Sequence, residues 1–367
     1  MSNKFLHTPM GLSLFYPYVP DESKRLVNEV LNTRWIGQGP MVNKFEDEFS
    51  KLFNVKYPVA LNSGTSALET AYDLIGLKKG DRVISTPLTC TATNLALLAR
   101  GVEIIWADIL EDTLCIDPSD VYDKFYSINN IKAVVQVHLG GIEAEVDVSR
   151  ISVPLVSDAC QALGIFKGDY TACSFQAIKH VTCGDGGMLV VDDENDYKKA
   201  KLMRWFGIDR DKKMKNNWQA YKERRMTFDI EMIGYKRQMT DIAAAMGIGG
   251  LMNYNTVMEH NNELFDMYSN MLSNVDGIKV IDGNNNKHWL MTILVERRDD
   301  FAKMLFENSI DTNLVQVRND VYKIFGGKRA NLPVMNRIED KYLSLPIGMH
   351  ITVDDVEYIC NLIKRGW

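Results

Sequence analysis

Ser174-Phe175-Gln176-Ala177-Ile178-Lys179-His180-Val181-Thr182-Cys183-Gly184-Asp185-Gly186-Gly187 is the stretch on which the reading of this chain turns. A lysine sits at the end of an apolar β-segment, and a glycine-rich turn follows it. An amine so placed can hold a carbonyl cofactor as a Schiff base, but only in its free form, so desolvation or neighbouring cations must lower its pKa. The glycines let backbone pack closely beside a flat ring. A lysine before a glycine turn is equally an ordinary surface residue when read alone, so its companions decide.

The first companion is Asn62-Ser63-Gly64-Thr65-Ser66-Ala67-Leu68, after the apolar run Val59 to Leu61 and at the start of a helical pattern through Leu68, Ala71, Tyr72 and Ile75. Hydroxyls and free N–H groups at a helix start, aided by the helix dipole, attract an anion such as phosphate. A plain capped helix would look the same. The second is Val156-Ser157-Asp158-Ala159-Cys160-Gln161-Ala162, at the C-terminal end of the apolar stretch from Ile151. A carboxylate there can pair with a protonated pyridine nitrogen and keep such a ring a strong electron sink. An acidic N-cap is the alternative.

The rest of the chain sets the frame. Its 367 residues exceed what one ordinary core serves, so two domains are expected. Short apolar, β-branched segments at 82–84, 102–107, 133–138, 154–156, 173–175 and 188–191 alternate with helical patterns at 66–75, 91–99 and 118–126. That alternation predicts an α/β domain with a mainly parallel sheet covered on both faces, and ligands beyond the carboxyl ends of its strands. After Thr240 a long helical stretch runs from Asp241 to about Met271. Strands at 278–281, 289–295 and 313–317 and helices near 301–306 and 353–363 follow, a smaller α+β domain. The expected division is 1–250, including an N-terminal arm, and 251–367. The Met-rich stretch 239–252 reads as core packing.

A formal charge of −6 excludes general nucleic-acid binding, which needs a basic face. The one basic concentration, Arg210, Lys212, Lys213, Lys215, Lys222, Arg224 and Arg225, reads as a solvated face, although its place between the lysine motif and the Gly234 motif leaves room for a locally basic pocket that takes a small anionic ligand. No apolar run approaches the ~20 residues that span a bilayer. Pro9, Pro17 and Pro20 interrupt the N-terminus and no signal-peptide core is present, so a cytoplasmic location is expected. The six cysteines show neither CxxC nor zinc spacing, and read as reduced thiols with no metal site.

Phosphate seat, ring-nitrogen carboxylate and lysine, in that order, make the chain resemble the DegT/DnrJ/EryC1/StrS family of sugar aminotransferases. The resemblance begins at Arg34-Trp35-Ile36-Gly37-Gln38-Gly39-Pro40 and Phe45-Glu46-Asp47-Glu48-Phe49. It continues through the three motifs, Gly234-Tyr235-Lys236 and Met239-Thr240-Asp241, and ends at Leu343-Ser344-Leu345-Pro346. It implies the fold-type-I architecture of pyridoxal 5′-phosphate (PLP) enzymes, with a seven-stranded large-domain sheet. Lys179 is then the Schiff-base lysine and Asp158 the ring-nitrogen partner, while Gln161 lies near the ring hydroxyl. Gly64, Thr65, Ser66 and Ser174 are implied to hold the phosphate. The resemblance also implies a homodimer with shared active sites, in which the partner contributes around Gly234 to Gln238, with Gln238 in place of a family asparagine.

The implied reaction moves an amino group, with L-glutamate as donor, to a nucleotide-linked 4-keto-6-deoxy sugar. A 3-keto substrate, a deoxysugar dehydratase of the same family and a non-catalytic PLP-fold regulator remain as alternatives. In the dehydratases a histidine replaces the lysine, whereas here His180 merely follows it. Substrate contacts are expected among Thr89, His138, His180, Arg318 and Asn319, with His288-Trp289 also near. Where relatives stack an aromatic ring on the cofactor, this chain has Thr89-Cys90-Thr91.

Overall fold

The computed structural model describes residues 11–210, 230, 232–329 and 331–367. Most of the basic concentration, from Lys212 to Arg225, lies outside the described residues. Two amphipathic helices, α1 (Asp21–Thr33) and α2 (Pro40–Phe53), precede the first strand. Proline suits the first turn of α2, where its missing N–H has no helical partner. Asp241, from the Met-Thr-Asp motif, caps that turn by accepting from the N–H groups of Gly39 (2.7 Å), Met41 (3.2 Å) and Val42 (3.1 Å).

The large sheet is built from β1 (Tyr57–Leu61), β2 (Arg82–Ser85), β3 (Glu103–Trp106), β4 (Ile131–Val137), β5 (Leu155–Asp158), β6 (Tyr170–Ser174) and β7 (Gly187–Val191). Its order is β1-β7-β6-β5-β4-β2-β3. The five strands from β6 to β3 run parallel, while β7 is antiparallel to both its neighbours. Helices α3 (Gly64–Ile75), α4 (Thr91–Leu98) and α5 (Pro118–Ser127) connect β1 to β4 in turn, and α6 (Glu194–Met203) follows β7. The strands are nearly all apolar and buried, as sheets covered on both faces require. This is the expected doubly covered, seven-stranded sheet. One face packs α3 and α4, and the other packs α1, α2 and α7 (Asp241–Met252).

The C-terminal part contains α8 (Tyr254–Leu272), β8 (Ile278–Val280), β9 (Met291–Val295), α9 (Arg298–Glu307), α10 (Pro333–Ile338), β10 (Tyr342–Leu345) and α11 (Val353–Ile363). Its three-stranded antiparallel sheet has the order β10-β9-β8. Two expectations are corrected. The single helix from Asp241 is two, because Asn253 leaves helical geometry (φ −105°, ψ 3°) between α7 and α8. The expected strand 313–317 does not form, and β10 takes its place in the sheet. Val315 is left-handed (φ 57°), which breaks the pleat, so only Asn313 bridges to Ser344.

The two parts are joined at several places. Leu12 pairs with Ile310, and Phe15 stacks on Trp289 with ring centroids 5.5 Å apart. Ile281, Leu294, Phe325, Leu332, Met335, Ile338 and Tyr342 pack into one core with Ile84, Trp106 and Val134 of the large sheet.

Candidate active site

Beyond the carboxyl ends of β5 and β6 lies a cavity of about 430 Å3, lined by Gly64, Thr65, Asp158, Gln161, Ser174 and Lys179 among others. Three distant segments of sequence therefore meet where the parallel sheet opens. Asp158, the last residue of β5, is 3% exposed. Its Oδ2 accepts from the Thr93 hydroxyl of α4 (2.7 Å) and its Oδ1 from the Cys160 N–H (3.0 Å). Thr89, one turn before Thr93, shares a 2.9 Å hydroxyl contact with it. A buried carboxylate held by two donors keeps one orientation, with lone pairs left for a ligand.

Lys179 occupies the loop between β6 and β7. That loop is closed at its base by Ser174 facing Gly187 in the sheet register. Inside it, Phe175 donates to the Gly186 carbonyl (2.9 Å), Cys183 to that of Phe175 (2.8 Å), and Lys179 to that of Gln176 (2.9 Å). The ε-nitrogen lies 3.4 Å from the centroid of the Trp289 indole. Burial pulls the amine down to about 8, against opposing pulls from Cys160, Asp158 and Cys90. At that value roughly a tenth of the amine is free at pH 7, far more than for an ordinary lysine, which favours imine formation.

The start of α3 forms the third wall. Ser63 caps it by accepting from the Ser66 N–H (3.0 Å), and the Ser66 hydroxyl donates to Asn62 Oδ1 (2.7 Å). Ser66 thus shapes the turn, while the Gly64 and Thr65 N–H groups, which have no helical acceptor, border the cavity. Only glycine fits at 64: a Cβ would lie 2.7 Å from Cys160 Sγ and 2.9 Å from Ser174 Cβ. The donor set is a helix N-terminus, hydroxyls of Thr65 and Ser174, a fixed carboxylate and a desolvated lysine. It fits a phosphate-bearing aldehyde with a basic ring nitrogen. Gln161 borders the same cavity, with its Oε1 held by the Gly140 N–H (2.8 Å).

Of the expected substrate contacts, Trp289 lines the cavity, while Thr89, His138, His180, Arg318 and Asn319 lie outside its lining. His180 is buried, donating from Nε2 to the Lys287 carbonyl (2.7 Å), and burial lowers its pKa to about 4. His138 is fully buried, accepts from the Ala144 N–H (2.9 Å) and is likewise lowered to about 4 by burial. Arg318, 2% exposed, is consumed by Asp320 (2.7 Å), Glu339 (2.8 Å) and Asn336 (2.6 Å). Asn319 donates to the Thr89 carbonyl (2.7 Å) and accepts from Asn94 (2.9 Å). None of these four, nor Thr89, lines the cavity; Thr89 and Asn319 brace the loop before α4. Gln238 also lies outside the lining and pairs through its backbone with Leu61 of its own chain.

The cavity has walls that sequence reasoning missed: Phe15 from the N-terminal arm, Cys160, and Asn313, Val315 and Gln316 from the C-terminal part. Cys160 lies within the Asp158 motif, whereas no local pattern marks the others, which arrive by tertiary packing. Trp289 and Phe15 supply aromatic surface where the Cys90 segment has none. Other motif residues build rather than react. Glu46 accepts from the Ala60 N–H (2.8 Å) and pairs with buried Arg204 (2.5 Å), as Asp241 caps α2.

The chain is 29% identical over 376 residues to the spore coat polysaccharide biosynthesis protein SpsC of Bacillus subtilis, covering 95% of each chain. It is 27% identical over 372 residues to GDP-perosamine synthase of Escherichia coli, covering 96% of this chain and 98% of the other. The crystal structure of a sugar aminotransferase from Micromonospora echinospora matches with a TM-score of 0.87 and 26% identity, covering 97% of this chain and 100% of that one. Residues 17–364 match the DegT/DnrJ/EryC1/StrS aminotransferase family. Coverage from end to end by one family, over a cavity whose donors suit its cofactor, means that the chain belongs to the DegT/DnrJ/EryC1/StrS family and is a PLP-dependent sugar aminotransferase.

Proposed function

We propose that this transaminase delivers an amino group from L-glutamate to C4 of a nucleotide-linked 4-keto-6-deoxy sugar, dTDP- or GDP-linked. The product is a 4-amino-4,6-dideoxy sugar for a surface glycan. The observation that carries this reading is the convergence of Lys179, Asp158 and the α3 N-terminus on one cavity. The names of two relatives, a perosamine synthase and a coat polysaccharide protein, support the sugar class.

When bound, PLP supplies an electron sink that stabilises negative charge on the carbon bearing the amino group. The chain's own residues do the rest. The Gly64 and Thr65 N–H groups, with the Thr65 and Ser174 hydroxyls, anchor phosphate at the positive end of α3. Asp158, oriented by Thr93 and the Cys160 N–H, holds a proton on the ring nitrogen. Gln161, its Oε1 held by the Gly140 N–H, would lie near the ring hydroxyl. The Lys179 ε-nitrogen, lowered to about 8, accepts and returns a proton at physiological pH. Phe15 and Trp289 exclude water from one side. The functional unit in this reading is a homodimer, and the segment from Gly234 to Gln238 serves the neighbouring site.

Borohydride reduction of the PLP-loaded protein, followed by peptide mapping, places the label on Lys179. Incubation with glutamate and a panel of dTDP-, GDP- and UDP-linked keto sugars then yields a 4-amino sugar by mass spectrometry. Label on another amine removes the mechanism, and a 3-amino product removes the C4 assignment.

A further inference from the structure

Lys179 is not bonded to the cofactor throughout a transamination. While the amino group waits to be delivered, the lysine ε-nitrogen is free, and this deepened view of Lys179 rests on the function proposed above. The surroundings of the ε-nitrogen in the structure are unusual. Among the described residues no carboxylate forms an ion pair with Nζ, and the partner it does have is the Trp289 indole, 3.4 Å away at the ring centroid. The charged and titratable groups around it are Asp158 at the end of β5, Cys160 just after it, Cys90 before α4 and neutral His180 next in sequence.

The indole is itself immobilised. Trp289 is 4% exposed, its Nε1–H donates to the Ile178 carbonyl (2.9 Å), and Phe15 stacks on it at an interplanar angle of 22°. Ile178 is the residue before the lysine, so one tryptophan grips the lysine's backbone through its edge and the amine through its ring. Cation–π attraction of this kind is strongest for tryptophan and grows when the pair is desolvated.

We propose that Trp289 is a positioning residue whose indole face is the resting seat of the Lys179 ε-ammonium whenever the lysine is not joined to the cofactor. The seat stabilises the charged amine and holds it at the small-domain wall, clear of the substrate carbon and poised to return. It also ties the amine to the N-terminal arm through Phe15, so that three chain segments share one stack.

The test compares wild type with Trp289→Phe and Trp289→Leu. Full-length protein labelled with ε-13C lysine is titrated by NMR, both free of cofactor and loaded with pyridoxamine phosphate. The Lys179 signal is assigned by its loss in Lys179→Arg. The expected midpoint falls in the order Trp, Phe, Leu, by about one pH unit in total, because a face that favours the charged form has been removed. A smaller shift for Phe than for Leu keeps the result readable if the Leu variant folds poorly. A midpoint unchanged or raised in both variants overturns the proposal. Wild-type borohydride labelling of Lys179 separates this outcome from failure of the proposed function: the label stays while the seat is disproved.

Discussion

Replacing Gly64 by alanine tests whether the start of α3 must sit where it does. The added Cβ would lie 2.7 Å from Cys160 Sγ and 2.9 Å from Ser174 Cβ. Carbon atoms in ordinary contact are ~3.5–4.0 Å apart, so the first turn of α3 must recede by roughly 1 Å. Cys160 can rotate away, but Ser174 Cβ is fixed to the backbone of β6. Overpacking of this kind costs about 1–3 kcal/mol. Each hydrogen bond to a charged group contributes about 1.5–3 kcal/mol, and a recession of that size spoils at least one to the cofactor phosphate. The PLP dissociation constant is therefore expected to rise roughly 10- to 150-fold, at 1.4 kcal/mol per factor of ten. Titration of the cofactor-free protein with PLP, followed by tryptophan fluorescence, measures this directly, and thermal melts report the packing cost. Cys160→Ala in the Gly64→Ala background removes the nearest atom and should restore part of the melting temperature. A Gly64→Ala protein with wild-type cofactor affinity and melting temperature would refute the reasoning.

Thr93→Val keeps shape but removes the hydroxyl that donates to Asp158 Oδ2. Turnover should fall about tenfold or more, with substrate KM little changed, because a hydrogen bond to a charged group is lost behind the site. The rate at which cofactor-free protein takes up PLP should rise tenfold per pH unit below about 8 and level off above it, since only neutral Lys179 attacks. A rate still climbing past pH 10 would mean an unperturbed lysine. Arg318→Met should destabilise the fold by about 3–5 kcal/mol in urea unfolding, because Asp320 is left buried without its partner. The KM for the sugar should stay put; a rise without destabilisation would return Arg318 to the substrate.

The sequence was most legible where one physical rule governs a whole segment. Alternating β-branched runs and amphipathic stretches marked β2 to β7 with their helices, and α11 was located to the residue. The three motifs were legible because a helix start, a strand end and a loop lysine each have a local signature. Reading failed where burial, rather than residue type, decides what a polar side chain does. Arg318 and Asn319 carry the polar character of ligand contacts, yet in the buried interior Arg318 pairs with Asp320 and Glu339 and Asn319 becomes a strut for the Thr89 loop. His138 and His180 have the chemistry of a base, but both are buried outside the cavity lining, and each has a ring nitrogen engaged with backbone, His138 with the Ala144 N–H and His180 with the Lys287 carbonyl. Phe15 and Gln316 reach the cavity only through packing of the N-terminal arm and the C-terminal part, for which no periodicity exists.

Gly187 opens β7 opposite Ser174, and a Cβ on it would lie 2.2 Å from the Ser63 carbonyl oxygen. The anion seat and the covalent anchor thus share a single hinge-free joint, one hydrogen atom wide. Exchanging the lysine-bearing loop for that of a relative would leave the phosphate grip undisturbed only if the graft ended on glycine. Any bulkier terminus would pry the two halves of the catalytic apparatus apart together.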